Sequence, residues 1–169
     1  MWCAVAAFAI IGPHFFEDER GNVCTVTSER YAHMLQDFFI PCLQGLPVNR
    51  TTYFQQHGAT SHTANIAMNI LRPLFPGHLI SSYGDIECPA ISPDLSVCDI
   101  YLWGLLKSVV YSAPSPRTTQ ELKLWIQEEI SRIPVDVLCM AMNSVHDQLA
   151  ECEQHNGGHL EDVIMFQDH

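Results

Sequence analysis

Basic side chains are scarce in this chain. Of 169 residues, 8 are Lys or Arg against 19 Asp or Glu, and the formal net charge is −11. A free-standing nucleic-acid-binding domain usually turns a basic face to the phosphates. The cations here are scattered, so this segment alone is not expected to bind nucleic acid tightly. Charge of either sign is thin, at 16%, while 47% of residues are hydrophobic. That balance excludes a disordered chain and indicates a surface poorer in charge than usual. Long apolar runs are missing too. Residues 2–11 are apolar, but the run is too short to cross a membrane as a helix. It lacks a basic start and a small-residue cleavage site, and it continues into Gly12-Pro13. It therefore reads as a buried strand rather than a signal-peptide core. There is no CxxC pair, glycine-rich phosphate loop, nucleophile–base arrangement, internal repeat or low-complexity tract. These absences argue against a small-molecule enzyme.

What is present suits one domain with a sizeable core. The seven cysteines are Cys3, Cys24, Cys42, Cys88, Cys98, Cys139 and Cys152. Their odd number fits a reduced intracellular compartment. Asn49-Arg50-Thr51 matches the glycosylation triplet, a pattern common by chance.

The pattern predicts strands over 1–7 and 10–16, a polar turn over 17–22 and a short strand over 23–26. Thr27 or Ser28 caps a helix whose apolar face is Tyr31, Met34, Leu35, Phe38 and Phe39, ended or bent at Pro41. A strand over 51–55 leads through His57-Gly58-Ala59 into a helix from about Thr63. That helix buries Ala67, Ile70, Leu71 and Leu74, and Pro73 and Pro76-Gly77 close it. Residues 79–82 form a short strand and 88–94 an irregular loop. A helix from near Asp94 or Ser96 carries Asp99, Leu102, Trp103 and Leu106. Thr118 and Glu121 form a capping box for a helix burying Leu122, Ile126, Ile130 and Ile133. The last helix starts at Asp136, buries Leu138, Met142, Val145, Leu149 and Cys152, and ends at Asn156-Gly157-Gly158. Strands first, then alternation, then helices describe an α/β sheet with a helical C-terminal end.

Two blocks carry chemistry. One is Phe54-Gln55-Gln56-His57-Gly58-Ala59-Thr60-Ser61-His62. The other is Ser92-Pro93-Asp94-Leu95-Ser96-Val97-Cys98-Asp99, followed by Tyr101-Leu102-Trp103-Gly104. Together they resemble the DDE/D transposases of the mariner superfamily. Those read QDGA or QDNA and then a His, and later SPDL followed by Asp or Glu. Trp2-Cys3 with Ile11-Gly12-Pro13, Glu29-Arg30-Tyr31 with Met34-Leu35, Thr118 to Leu122, and Asn156 to Glu161 extend the likeness over nearly the whole chain.

The resemblance implies a fold and an activity. The fold is an RNase H-like mixed sheet with flanking helices, here a single partial domain over 1–169. Its first, central strand is expected to precede this chain, leaving the isolated chain marginal in stability. In the family three carboxylates hold two divalent cations, Mg²⁺ or Mn²⁺, that drive DNA strand cleavage and transfer. The third carboxylate position is Asp99, a metal ligand by family likeness. The second is His57, with 41 residues between the two, and the first lies outside the chain. An imidazole in place of a carboxylate disfavours Mg²⁺. One carboxylate and one imidazole are not expected to hold a two-metal site productively, so no metal-dependent strand cleavage is expected.

The likeness further implies DNA as partner, a homodimer as assembly, no membrane, and a nuclear location. It assigns no nucleic-acid-binding residues. The alternative is a domesticated protein–protein interaction module that keeps the fold without DNA chemistry. Plainer roles stand beside these. His57 also reads as a loop histidine, His62 as a residue that caps or packs near a helix start, Asp94 as a helix cap, Asp99 as a solvated or capping helix residue, and Trp103 and Leu106 as core or interface. His155, His159 and His169 lack metal-ligand spacing and read as loop.

Overall fold

The computed structural model describes residues 1–87, 96–111 and 116–154, and it divides into two compact units. The first holds Met1–Trp2 and His14–Ile91, the second Cys3–Pro13 and Ser92–His169.

The first unit is organised by one helical run and a small parallel sheet. Thr27 accepts a hydrogen bond from the Arg30 N–H and starts α1, Ser28–Met34. A π-helical turn over Leu35–Phe39 follows, in which the Ile40 N–H reaches back to the Leu35 carbonyl, and then α2, Ile40–Leu43. Pro41 has no N–H to give the ladder, and the widened turn lies just ahead of it. The expected bend is therefore a π-turn, not an end. Tyr31, Leu35 and Phe39 are almost fully buried. Each apolar side chain of that size removed from water contributes roughly 1.5–3 kcal/mol.

The sheet has strand order β3-β4-β5, from Phe54–Gln55, Leu79–Ser81 and Ile86–Glu87, all parallel. Between β3 and β4 lie a single turn, α3 (Thr60–Thr63), and α4 (Asn65–Leu74), broken apart where Ala64 is extended. Parallel neighbours usually need a long crossover, yet β4 reaches β5 through residues 82–85 alone. Gly84 makes this turn. A Cβ there would overlap the Leu79 carbonyl oxygen and lie 2.9 Å from the Ser81 nitrogen. Gly84→Ala is therefore expected to destabilise the fold by about 1–3 kcal/mol, read as a lower urea midpoint. An unchanged midpoint would show that the turn relaxes freely.

The second unit packs a hairpin on helices. β1 (Trp2–Ala6) and β2 (Ala9–His14) pair as a two-stranded sheet, whose end residues Trp2 and His14 group with the first unit. A π-helical turn, Cys98–Leu102, runs into α5, Trp103–Val110. α6 (Thr119–Arg132) and α7 (Val135–Gln154) follow. Cys3, Leu102, Leu106 and Ile130 form the core, with Val5, Ile10, Ile126 and Ile133 against it. The Cys139 thiol donates to the Ala7 carbonyl at 3.1 Å, tying α7 to the hairpin turn. No described helix is long and apolar enough to cross a membrane.

Several expectations change. No strand forms over 23–26; Val23 makes a lone bridge to Glu17. The Asp18 carboxylate closes the preceding turn by accepting from the Arg20 and Asn22 N–H groups, and Val23 is left 72% exposed. The strand over 51–55 shrinks to two residues, because Asn49 Oδ1 accepts from the Thr51 N–H and holds 49–52 in a turn. Pro73 lies inside α4 rather than closing it. Leu74 is exposed and Met68 takes its expected place in the core. In the capping box, Thr118 accepts from the Glu121 N–H, but Glu121 reaches the Arg117 N–H instead of closing on Thr118. Asp94, the SPDL run, His155, His159, His169 and the Asn156-Gly157-Gly158 stop lie outside the described residues.

Candidate functional site

Alternation along β3 sets the site. Phe54 is half-buried, Gln55 exposed and Gln56 buried again, so the period of two continues one residue past the strand. Gln56 becomes a polar hub inside the first unit. Its Oε1 accepts from the Tyr31 hydroxyl at 2.9 Å. Its Nε2 donates to the His62 carbonyl at 3.1 Å and lies 3.3 Å from Ser81 Oγ. Met68 Sδ closes the ring of partners at 3.4 Å. Burial also pushes the Tyr31 hydroxyl's pKa well up, so it stays a donor. Removing one partner would orphan another at about 1–3 kcal/mol.

His57 leaves the hub and is exposed. Its Nδ1 accepts from the Ala59 N–H at 3.2 Å. Its ring lies 4.5 Å from that of His62, tilted by 32°. His62 in turn stacks on Tyr31 at 4.2 Å and 28°. The three rings form a column with Tyr31 innermost. His62 Nδ1 is buried without a hydrogen-bond partner. Burial first, then the neighbouring His57, hold the His62 imidazole down at about 4, against a smaller raising effect from a backbone hydrogen bond of His57. The role expected for His62, packing near a helix start, is the one it has. A Cβ at Gly58 would lie 2.7 Å from Ser82 Oγ, so a side chain there requires the Ser82 hydroxyl to turn away.

Asp99 belongs to the second unit. It occupies the first turn of the π-helical segment, is exposed, and its N–H donates to the Ser96 carbonyl at 3.0 Å. Beside it, burial and then the Asp99 charge push the Cys98 thiol up to about 11. Burial pushes Cys3 up to about 12. Both thiols stay protonated at neutral pH and are poor nucleophiles. Leu102 and Leu106 are buried, and Trp103 packs against that core.

His57 and Asp99 thus fall in different units. Among the described residues, no three His, Cys, Asp or Glu side chains are grouped to hold a metal. Sequence reasoning missed the Gln56 hub and the ring column. The signal available was the strand alternation, which points the second glutamine of the pair inward.

No protein-family model matches the chain, and no curated protein does. Solved structures do. A Mos1 transposase paired-end complex with the left transposon end aligns at TM-score 0.74 and 19% identity, covering 94% of this chain and 44% of that one. The Mos1 catalytic domain with raltegravir and Mn aligns at TM-score 0.74 and 19% identity, over 92% of this chain and 74% of that one. A crystal structure of the catalytic domain of Mos1 mariner transposase gives TM-score 0.71 at 19% identity, over 92% of this chain and 72% of that one. This chain therefore spans less than half of the transposase in the paired-end complex, and its fold is that of a mariner transposase catalytic domain.

Proposed function

We propose that this chain is a transposable-element-derived, RNase H-like nucleic-acid-binding domain that does not cut DNA by metal catalysis. The observation that carries this reading is His57. It stands where the motif it resembles has an acidic residue, and its Nδ1 is already engaged by the Ala59 N–H. Catalytic-domain structures of Mos1 are solved with Mn and with Mg. Here the donors at the two matching positions are one carboxylate and one imidazole. Mg²⁺ demands a near-octahedral set of oxygens, and these residues do not fit a pair of such ions.

A second reading, a protein–protein interaction module, is favoured by one feature. Residues 92–169 hold twelve of the 19 acidic side chains and four of the 8 basic ones. A salt titration of DNA binding by the whole chain separates the two. Nucleic-acid binding predicts weak affinity, with log K falling linearly against log salt. No binding at low salt by a folded chain would leave the interaction module standing.

A further inference from the structure

We propose that the exposed ring of His57 is a stacking platform for an unpaired nucleobase. The inference rests on the nucleic-acid-binding reading and gives it a site. Three rings lie in order from the core: Tyr31, then His62 stacked on it at 4.2 Å, then His57 at 4.5 Å and tilted by 32°. Both ends of the column are held. Tyr31 is anchored through its hydroxyl to Gln56 at 2.9 Å, and His57 through the Ala59 N–H at 3.2 Å. The fold has already met the entropy of ordering the outer ring, which a binding surface made of free side chains would still have to lose.

The chemistry of the outer ring suits a base. His62 covers one face of His57, and the residue is exposed. Because Nδ1 accepts a backbone hydrogen bond, the neutral ring carries its proton on Nε2, a donor for a base edge or phosphate oxygen. Next in the chain, the Gly58 backbone runs close to Ser82, whose Oγ would lie 2.7 Å from a Cβ added there. Residues 14–91, which contain the column, hold seven of the 19 acidic side chains and four of the 8 basic ones. The platform therefore lies in the less acidic part of the chain, where phosphates meet less repulsion. Every base has a π-face, so recognition here is sequence-tolerant and needs a single strand or an extruded nucleotide, not a duplex.

The test uses the full chain and single-stranded DNA carrying 2-aminopurine, titrated over a series of salt concentrations. Wild type is expected to bind and to quench the probe by stacking. His57→Ala is expected to weaken binding by about tenfold and abolish the quenching. The slope of log K against log salt should not change, because stacking releases no counterions. His57→Phe keeps an aromatic ring without the imidazole nitrogens and is expected to restore most of both signals. A thermal melt checks that each variant folds. Wild-type binding that His57→Ala leaves intact would overturn the platform while sparing the nucleic-acid reading. The same holds if His57→Phe behaves like His57→Ala. A folded wild type that ignores single-stranded DNA at low salt, or that binds an aromatic peptide in its place, would overturn both.

Discussion

Phe39→Ala is expected to cost the first unit about 3–5 kcal/mol, which is much of the 5–15 kcal/mol that typically separates a folded domain from its unfolded chain. Phe39 is 1% exposed. Its ring meets Trp2 at 5.4 Å and 76°, Phe54 at 5.2 Å and 50°, and Phe75 at 6.4 Å. Phe54 and Phe75 are themselves stacked at 5.1 Å. Truncation would remove one ring shared by three others and leave a cavity that the π-helical turn carrying Phe39 cannot easily close. Chemical denaturation with near-UV circular dichroism reads the effect. A loss below about 1 kcal/mol, the scale of an ordinary surface change, would show that this aromatic cluster is not the core of the unit.

The second large effect is on the pH dependence of stability. His62 is held at about 4 when folded, against an ordinary imidazole near 6.5. Between those values the unfolded chain binds a proton that the folded chain refuses. Stability therefore rises with pH across this window. The contribution is fully present above about pH 6.5 and is lost as pH falls toward about 4, with a total of about 2–3 kcal/mol for a largely buried ring. Burial, and then the N-terminal charge, also lower His14, and it acts in the same direction. Replacing His62 isolates its share. His62→Asn is expected to flatten the profile between pH 4 and 6.5 even where it lowers stability overall. Parallel profiles for variant and wild type would show that His62 stays protonated in the fold.

Much of this fold was legible because it rests on local periodicity. The spacing of Tyr31, Met34, Leu35, Phe38 and Phe39 marks the first helical run, and Thr27 or Ser28 its start, which the structure puts at Thr27. Leu106 and Ile130, expected in the core, form the core of the second unit together with Cys3 and Leu102. What was not legible depended on side chains that compete with strands. Asp18 and Asn49 close turns with their own oxygens, shortening two expected strands to a bridge and a two-residue pair. β5 was invisible because a parallel neighbour four residues beyond β4 requires Gly84 pressed against backbone, an arrangement no pattern of apolar residues encodes.

The candidate site positions come from motif likeness, and their surroundings had no counterpart in the sequence. His57 and Asp99 were found from motif likeness, and the structure places one at the end of β3 and the other at the start of a helix. The Gln56 hub was hidden because its partners come from α1, β4 and the segment around α3 and α4. Strand alternation points Gln56 inward, but partners 25 positions away on either side leave no local trace of what it meets there.

We propose that this chain, of mariner-type catalytic fold, does not cut DNA by metal catalysis. The most direct measurement is a nicking assay of the full chain on terminal-repeat DNA, with Mg²⁺ and with Mn²⁺. No cleavage above the buffer control is expected with either ion. Ion-dependent cleavage that disappears in Asp99→Ala would contradict it.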